Sequence, residues 1–507
     1  MQYDVAIIGS GLGGLVCGAL LSRNGYRVAV FEKNKQIGGC LQTYVRNKVI
    51  FDSGVHYIGA LGEGRNLEKI FRYLGIMDKL KLQRLDLDGF DHIAFNGDPT
   101  EYRIAQGYDN FTAQLLKEFP GEKKALQDYC HAMQDVCRRF PLYNLRMGSF
   151  AEKQEVMNID ASTFLKQLTN NERLQNVLAG NNMLYAGVRD KTPFYVHALV
   201  VNSYIEDSWK CVDGGSQIGK WLGRTILENG GKIYRDTMVQ QIIGDGNKVD
   251  HITLADGQEI KANYFISNLH PSQTMAMTES DLIRGAYRAR INTLENAIAP
   301  FVLNIVLKPN TFPYLNYNYY YHQTDDAWEG IDYAADKWPL TYSLFAAASS
   351  RHMPYTDSLS VLTYMRYDEV ARWQHTFNTT SQEQHRGDDY EAFKREKSER
   401  MLDVVEQKFP GLRNSIATCY AATPLSFRDY LGTADGSLYG VQKDYKDALK
   451  TMITQRTKLT NLYLTGQNLN LHGILGVSIS AVMTCGEILG LDWLLEQINK
   501  NDPSYIP

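Results

Sequence analysis

Charge of one sign, paired cysteines and long apolar runs are all scarce in this chain. With 53 Lys and Arg against 57 Asp and Glu the net charge is −4, so there is no basic field to hold a nucleic-acid backbone, and no nucleic-acid partner is expected. The seven cysteines are odd in number, scattered and without a C-x-x-C pair. That pattern argues against a zinc site and for a reducing compartment. The most apolar long stretch, Ile474 to Leu495, carries Glu487, Asp492 and several glycines; it reads as a buried helix, not a membrane span. No secretory pattern precedes the first strand, and the expectation is a cytoplasmic protein with at most peripheral membrane contact.

What is present is an ordinary globular composition, 44% hydrophobic and 22% charged, in a chain of 507 residues. That length exceeds one ordinary core, so two domains are expected. Tyrosine is abundant at 32 residues. Amphipathic rings in that number suit a large cavity, a surface or the seam between domains.

The most informative stretch is the first. An apolar run, Val5 to Ile8, enters Gly9, Gly11 and Gly14 in G-x-G-x-x-G spacing; a helical stretch, Leu15 to Leu21, and a second strand, Val28 to Phe31, follow. In that arrangement one glycine makes the tight turn, one lets the backbone approach a pyrophosphate and one packs helix on strand. Gly13 lies in the same turn. The helix N-terminus then meets the phosphates with free N–H groups. Glu32 closes the second strand at the distance where a carboxylate accepts hydrogen bonds from a ribose, with Lys33 beside it. Beyond Glu32 comes Gly38-Gly39-x-x-x-Thr43. This E-x5-G-G-x3-T continuation resembles the flavin signature of the glutathione-reductase-like and amine-oxidase-like flavoproteins, which makes FAD, not NAD, the expected cofactor. Cys40, inside the signature, reads as a small filler in a crowded turn.

Further on, Val49 to Gly59 reads as an apolar strand broken by glycines. Leu67 to Leu74 is an amphipathic helix stopped by Gly75. Near Leu85 the pattern changes to short strands, His92 to Phe95 and Glu101 to Ile104, followed by helices. His197, in the apolar run Phe194 to Val201, reads as a hydrogen-bonded core residue. Gly214-Gly215 lacks a preceding strand and reads as a helix-start turn, not a second phosphate loop. A strand block, Lys232 to Asn268, follows; Val239 is where its backbone would meet an adenine in the related flavoproteins. Four strands rich in Tyr, Phe and Val between Phe301 and Met365 predict an antiparallel sheet able to present one aromatic face to a long apolar ligand. Near the end, Leu462 to Thr465 is a strand leading to Gly466 and Gln467. A long helix then opens near Gly476 and Val477, its N-terminus placed to stabilise negative charge on a reduced flavin.

With both ends read, the chain resembles the phytoene desaturase, carotenoid isomerase and retinol saturase group of flavoproteins. F-D-S-G-V-H-Y-I-G (51–59), Y-V-H-A-L-V-V-N-S-Y (195–204) and L-Y-L-T-G-Q-N (462–468) look most like its retinol saturase branch. The resemblance implies an α/β fold with a Rossmann-like FAD-binding domain over 1–84, 208–272 and 416–495. It also implies an α+β substrate domain over 85–207 and 273–415, containing the antiparallel sheet. The activity implied is FAD chemistry on conjugated C=C bonds of an apolar polyene or isoprenoid, by saturation, desaturation or cis/trans isomerisation. A flavin amine oxidase and a non-enzymatic prenyl-protein escort remain alternatives with the same fold. Saturation needs a proton as well as a hydride, and His56, whose segment passes the flavin in relatives, is the first candidate donor, with His472 second. No second dinucleotide fingerprint is visible, so the electron donor is left open.

Overall fold

The computed structural model describes residues 2–350 and 354–500. Short strands that are apolar along their whole length belong in a sheet covered on both faces, and such strands build the first sheet. Its parallel core runs Lys232–Tyr234, Val28–Phe31, Gln2–Ile8, Glu259–Ser267, Leu462–Leu464. Helix Leu12–Arg23 packs against this core between helices Ser216–Glu228 and Gly473–Leu489. The strand Glu259–Ser267 is shared. Its first residues pair antiparallel with Lys248–Leu254, which continues the sheet to Val239–Asp245 and Thr278–Glu279.

The consequence for function lies at the carboxyl ends of the parallel strands, where open α/β sheets bind their ligands. Gly9 follows Ile8, Glu32 follows Phe31, Asn268 follows Ser267, and Gly466 lies just past Leu464; all four line one cavity.

A second sheet of seven strands runs Ile416–Ala422, Ala299–Leu307, Ser358–Met365, Thr341–Ala346, Asn318–His322, Asp91–Phe95, Tyr102–Ile104. It is antiparallel apart from the parallel pair Asn318–His322 with Asp91–Phe95. Side chains alternate across a strand. Tyr320, Phe345 and Leu362 therefore join the core shared with the first sheet, while Tyr319, Tyr321, Tyr342 and Leu344 face the opposite core under helix Asp388–Lys408. Strand Ile416–Ala422 is an edge of this second sheet, so the chain crosses between sheets after 422 and not at 416. A small sheet, Ile58–Gly59, Ser208–Cys211 and Leu82–Arg84, bridges the two halves.

Two local readings change. The stretch 49–59 is not one strand: Val49–Asp52 turns back on Thr43–Arg46, through Asn47 and Lys48 at φ 48° and 66°, as a tight hairpin turn requires. Residues 53–57 then cross as a loop to Ile58–Gly59. The long C-terminal helix starts at Gly473, three residues before Gly476, and ends at Leu489.

Candidate active site

The glycine turn is a close nest of backbones. A Cβ on Gly14 would lie 2.1 Å from the Gly9 carbonyl oxygen, so this glycine serves helix packing and does not line the cavity. Gly11, Gly13, Gly38 and Gly39 do line it, and a Cβ on Gly11 or Gly13 would fall 2.6 or 2.5 Å from the Asn268 side chain. Gly9 and Gly466 sit at φ 90° and 102°, conformations that favour glycine. Helix Leu12–Arg23 opens at Gly11 without a side-chain cap, leaving its first N–H groups for an anion. Asn268 was read only as a strand end; its role shows once the fold sets it against the glycines.

At one side Glu32 is held in place. Its Oε2 accepts from the Ser10 N–H at 3.0 Å and the Ser10 hydroxyl at 2.6 Å, and its Oε1 accepts from the Asn34 N–H at 2.9 Å. Lys33 is also in the wall, its ammonium donating to the Asp429 carbonyl at 2.9 Å, with burial holding its pKa below the usual lysine value. Thr237, Met238 and Val239 complete this side. Thr43 lies outside the wall and instead donates to the Ser216 hydroxyl at 2.9 Å, so the role expected for it does not follow from its position.

The opposite side is formed by Gly466, Gln467, His472, Gly476 and Val477. Helix Gly473–Leu489 begins there with no side-chain cap, and His472 Nε2 is buried with no hydrogen-bond partner. Open helix N–H groups and an unpaired ring nitrogen fit the polar edge of a bound dinucleotide ring. Together these residues form a dinucleotide cradle of the Rossmann kind.

The cradle continues into a cavity walled by the second sheet, the two enclosing about 2120 Å³ with its open mouth. Tyr320, Ser343 and Leu362, which sit opposite one another on adjacent strands, form the floor together with Phe345. Tyr57, Tyr204 and Tyr439 add further rings. His56 lies flat on Phe345, centroids 4.4 Å apart and planes 6° apart. Burial, and secondly the charge of Lys210, push its pKa down to about 4. His472 is pushed down to about 4 by burial and secondly by Lys443. Both rings are therefore neutral at pH 7, and the near-neutral titration on which the proton-donor reading rested is absent. Behind the floor lies Asp91, fully buried. It accepts from Asn318 Nδ2 at 2.9 Å, Asn181 Nδ2 at 3.2 Å and the Tyr57 hydroxyl at 3.1 Å. The Tyr57 and Tyr320 hydroxyls are 2.7 Å apart.

Other candidates resolve as structure. His197 is gripped by the Tyr129 and Tyr185 hydroxyls at 2.7 and 2.8 Å. Gly215 donates its N–H to the Asp52 carboxylate at 2.7 Å and opens a helix. Burial pushes the Cys40 thiol up to about 12, so it is no nucleophile at neutral pH. Among the described residues no group of His, Cys, Asp and Glu has the arrangement of a metal site, and no helix is long and apolar enough to cross a membrane.

Residues 7–74 match the family described as an NAD(P)-binding Rossmann-like domain. The chain is 27% identical to the all-trans-retinol 13,14-reductase of Homo sapiens, over 96% of this chain and 86% of that protein. It is 25% identical to the chloroplastic prolycopene isomerase of Arabidopsis thaliana, over 98% and 84%. Among solved structures, an oxidoreductase from Methanosarcina mazei superposes with a TM-score of 0.63 at 15% identity, covering 96% of this chain and 100% of that one.

Proposed function

We propose that the chain is an FAD-dependent oxidoreductase that saturates a conjugated C=C bond of an apolar, isoprenoid-like polyene. The observation that carries this reading is the continuity of the dinucleotide cradle with a cavity floored by one aromatic face of the second sheet. FAD is supported by the Glu32 to Gly39 signature together with the Gly466 to Val477 wall, two blocks far apart in sequence that meet around one site. Similarity to a retinol reductase and a prolycopene isomerase supports a polyene.

When bound, the flavin supplies or accepts hydride. The chain's own residues would hold it: the helix opened by Gly11 would take the pyrophosphate, Glu32 would accept from the ribose, and the helix N-terminus at Gly473 would stabilise developing negative charge. Tyr57, Tyr204, Phe345 and Leu362 lay the polyene against the ring and keep water out. His56 and His472, neutral at pH 7, act as flat walls and hydrogen-bonding groups. The substrate is taken from a membrane surface by peripheral contact, and an external reductant resupplies electrons. A cis/trans isomerase is the second reading, favoured by the prolycopene isomerase likeness. Addition of a panel of polyenes to the anaerobically photoreduced protein, and of small amines to the oxidised protein, tests the proposal. Polyenes should reoxidise the flavin and amines should leave the flavin chemistry untouched; efficient turnover of a small soluble amine would overturn it.

A further inference from the structure

Saturation requires a proton at the carbon next to the one that receives hydride. Of the three histidines lining the cavity, His56 and His472 have no bonded source from which to replace one, and His270 leads through Asn296 only to the partly exposed Asp435. His56 stacks on Phe345, and no described residue hydrogen-bonds to its ring. His472 Nε2 has no partner. Among the described residues, one titratable chain does reach from the cavity floor to a buried acid, and it is assembled by the register of the second sheet. Asn318 pairs with Asp91 and Tyr320 with Ile93 on the parallel strands, so Asp91, Asn318 and Tyr320 share one face. The loop bearing Tyr57 closes the gap, with its hydroxyl 3.1 Å from Asp91 and 2.7 Å from Tyr320. Tyr57 and Tyr320 both line the cavity.

We propose that Tyr320 is the proton donor to the reduced double bond, resupplied through Tyr57 from the carboxyl of Asp91. This rests on the saturation reading above. Hydride from the reduced flavin forms one new C–H bond. The Tyr320 O–H bond breaks and its proton forms the second. Tyr320 takes the Tyr57 proton, and Tyr57 takes that of the Asp91 carboxylic acid. The result is a saturated C–C bond, oxidised flavin and an Asp91 carboxylate, which regains a proton from solvent between turnovers. An external two-electron donor, dithionite in the test, restores the flavin. Tyr320 is the catalytic residue here; Tyr57 and Asp91 are positioning residues that act through it.

Two features suit Asp91 to the task. Burial pushes its pKa up to about 7, against the lowering effects of Asn318, Asn181, Tyr57 and the charge of Lys210, so near neutral pH it both holds and releases a proton. The anion left behind is not stranded: Asn318, Asn181 and Tyr57 all donate to it. Facing the cluster are Tyr204, whose phenol is raised by burial and secondarily by neighbours that include Asp91, and Lys210, whose ammonium donates to the Ala346 carbonyl at 2.9 Å and is itself pushed down to about 7 by burial. Burial raises the phenols of Tyr57 and Tyr320 well above 10. Neither gives up its proton unaided, so the transfer along the chain has to be concerted.

The test uses dithionite-reduced holoenzyme, a polyene alcohol, and the near-isosteric variants Tyr320→Phe and Asp91→Asn. Single-turnover flavin reoxidation in the wild type should fall as pH rises through about 7, following Asp91. Tyr320→Phe should keep FAD and substrate affinity yet lose about 10²- to 10⁴-fold in rate, the size of a general acid's contribution. Asp91→Asn should lose the pH step, while His56→Phe retains it. Independently of turnover, infrared spectra of substrate-free protein should show a buried carboxylic acid band that titrates near neutral pH and is missing in Asp91→Asn. A Tyr320→Phe enzyme with near-normal rate and an unchanged pH step, or no such band in the wild type, would overturn the relay alone. A wild-type product of unchanged mass would overturn the saturation reading and the relay with it.

Discussion

Glu32 shows how much one side chain settles at the residue scale. Its two oxygens take three donors from Ser10 and Asn34, which ties the glycine turn to the end of the second strand. Glu32→Ala leaves those donors unpaired beside the cofactor, and flavin binding should weaken by about 1–3 kcal/mol, read by titrating apoprotein with FAD. The histidines carry a pH signature of the opposite sign to Asp91. The folded-state pKa values of His56 and His472 lie near 4, below the ordinary 6.5. The stability they allow is therefore present above 6.5 and is lost as pH falls from there toward 4. Asp91 is raised from 3.8 to about 7, so the wild type should lose stability relative to Asp91→Asn as pH climbs through that interval. Thermal melts of both proteins across the range check the two signs: their difference isolates Asp91, and parallel curves would contradict its sign, while no loss of stability in either protein as pH falls from 6.5 toward 4 would contradict that of the histidines. Glu32 was legible in the sequence, and these pH effects were not. A solution pKa suggested His56 as the acid, and what changes it is burial, with Phe345 stacked on the ring, and secondly the charge of Lys210, both far along the chain. Asp91, Tyr57 and Tyr320 come from three distant segments that meet only once strand register is set.

At the scale of elements, the strand, glycine turn and helix at the N-terminus were readable because three constraints coincide there: a continuous apolar strand, glycines where backbones touch, and an acid at the next strand end. The same coincidence makes the element fragile. Gly14→Ala places a methyl 2.1 Å from the Gly9 carbonyl, and the backbone has to move by an overpacking cost of about 1–3 kcal/mol or more. The variant should purify with little visible flavin per protein. At Gly121, by contrast, a Cβ meets nothing within 4 Å, and Gly121→Ala should keep a full flavin load. The second sheet was legible as Tyr-rich strands but not as an ordered one. Which ring faces the cavity depends on the period of two: Tyr320 points to one core and its neighbours Tyr319 and Tyr321 to the other. The parallel pairing of Asn318–His322 with Asp91–Phe95 joins segments more than two hundred residues apart, and no local pattern announces it.

Across the whole molecule, two sheets meet around one cavity. The first contributes glycines, an acid and two helix N-termini, and the second an aromatic floor. The expectation that motifs at both ends of the chain close on one cofactor came from their resemblance to flavoprotein blocks, and residues of both blocks line this cavity. A cavity with rings on its floor and, among the described residues, no cluster of cations in its wall suits a long apolar ligand. Adding liposomes or mild detergent to a reduced-enzyme assay should accordingly raise turnover of a polyene. That this cavity adds two hydrogens across a conjugated double bond is decided by the product mass after anaerobic turnover of the dithionite-reduced holoenzyme with a polyene alcohol. A product heavier by two hydrogens is predicted. A product of unchanged mass with altered double-bond geometry would contradict the claim and make the protein an isomerase.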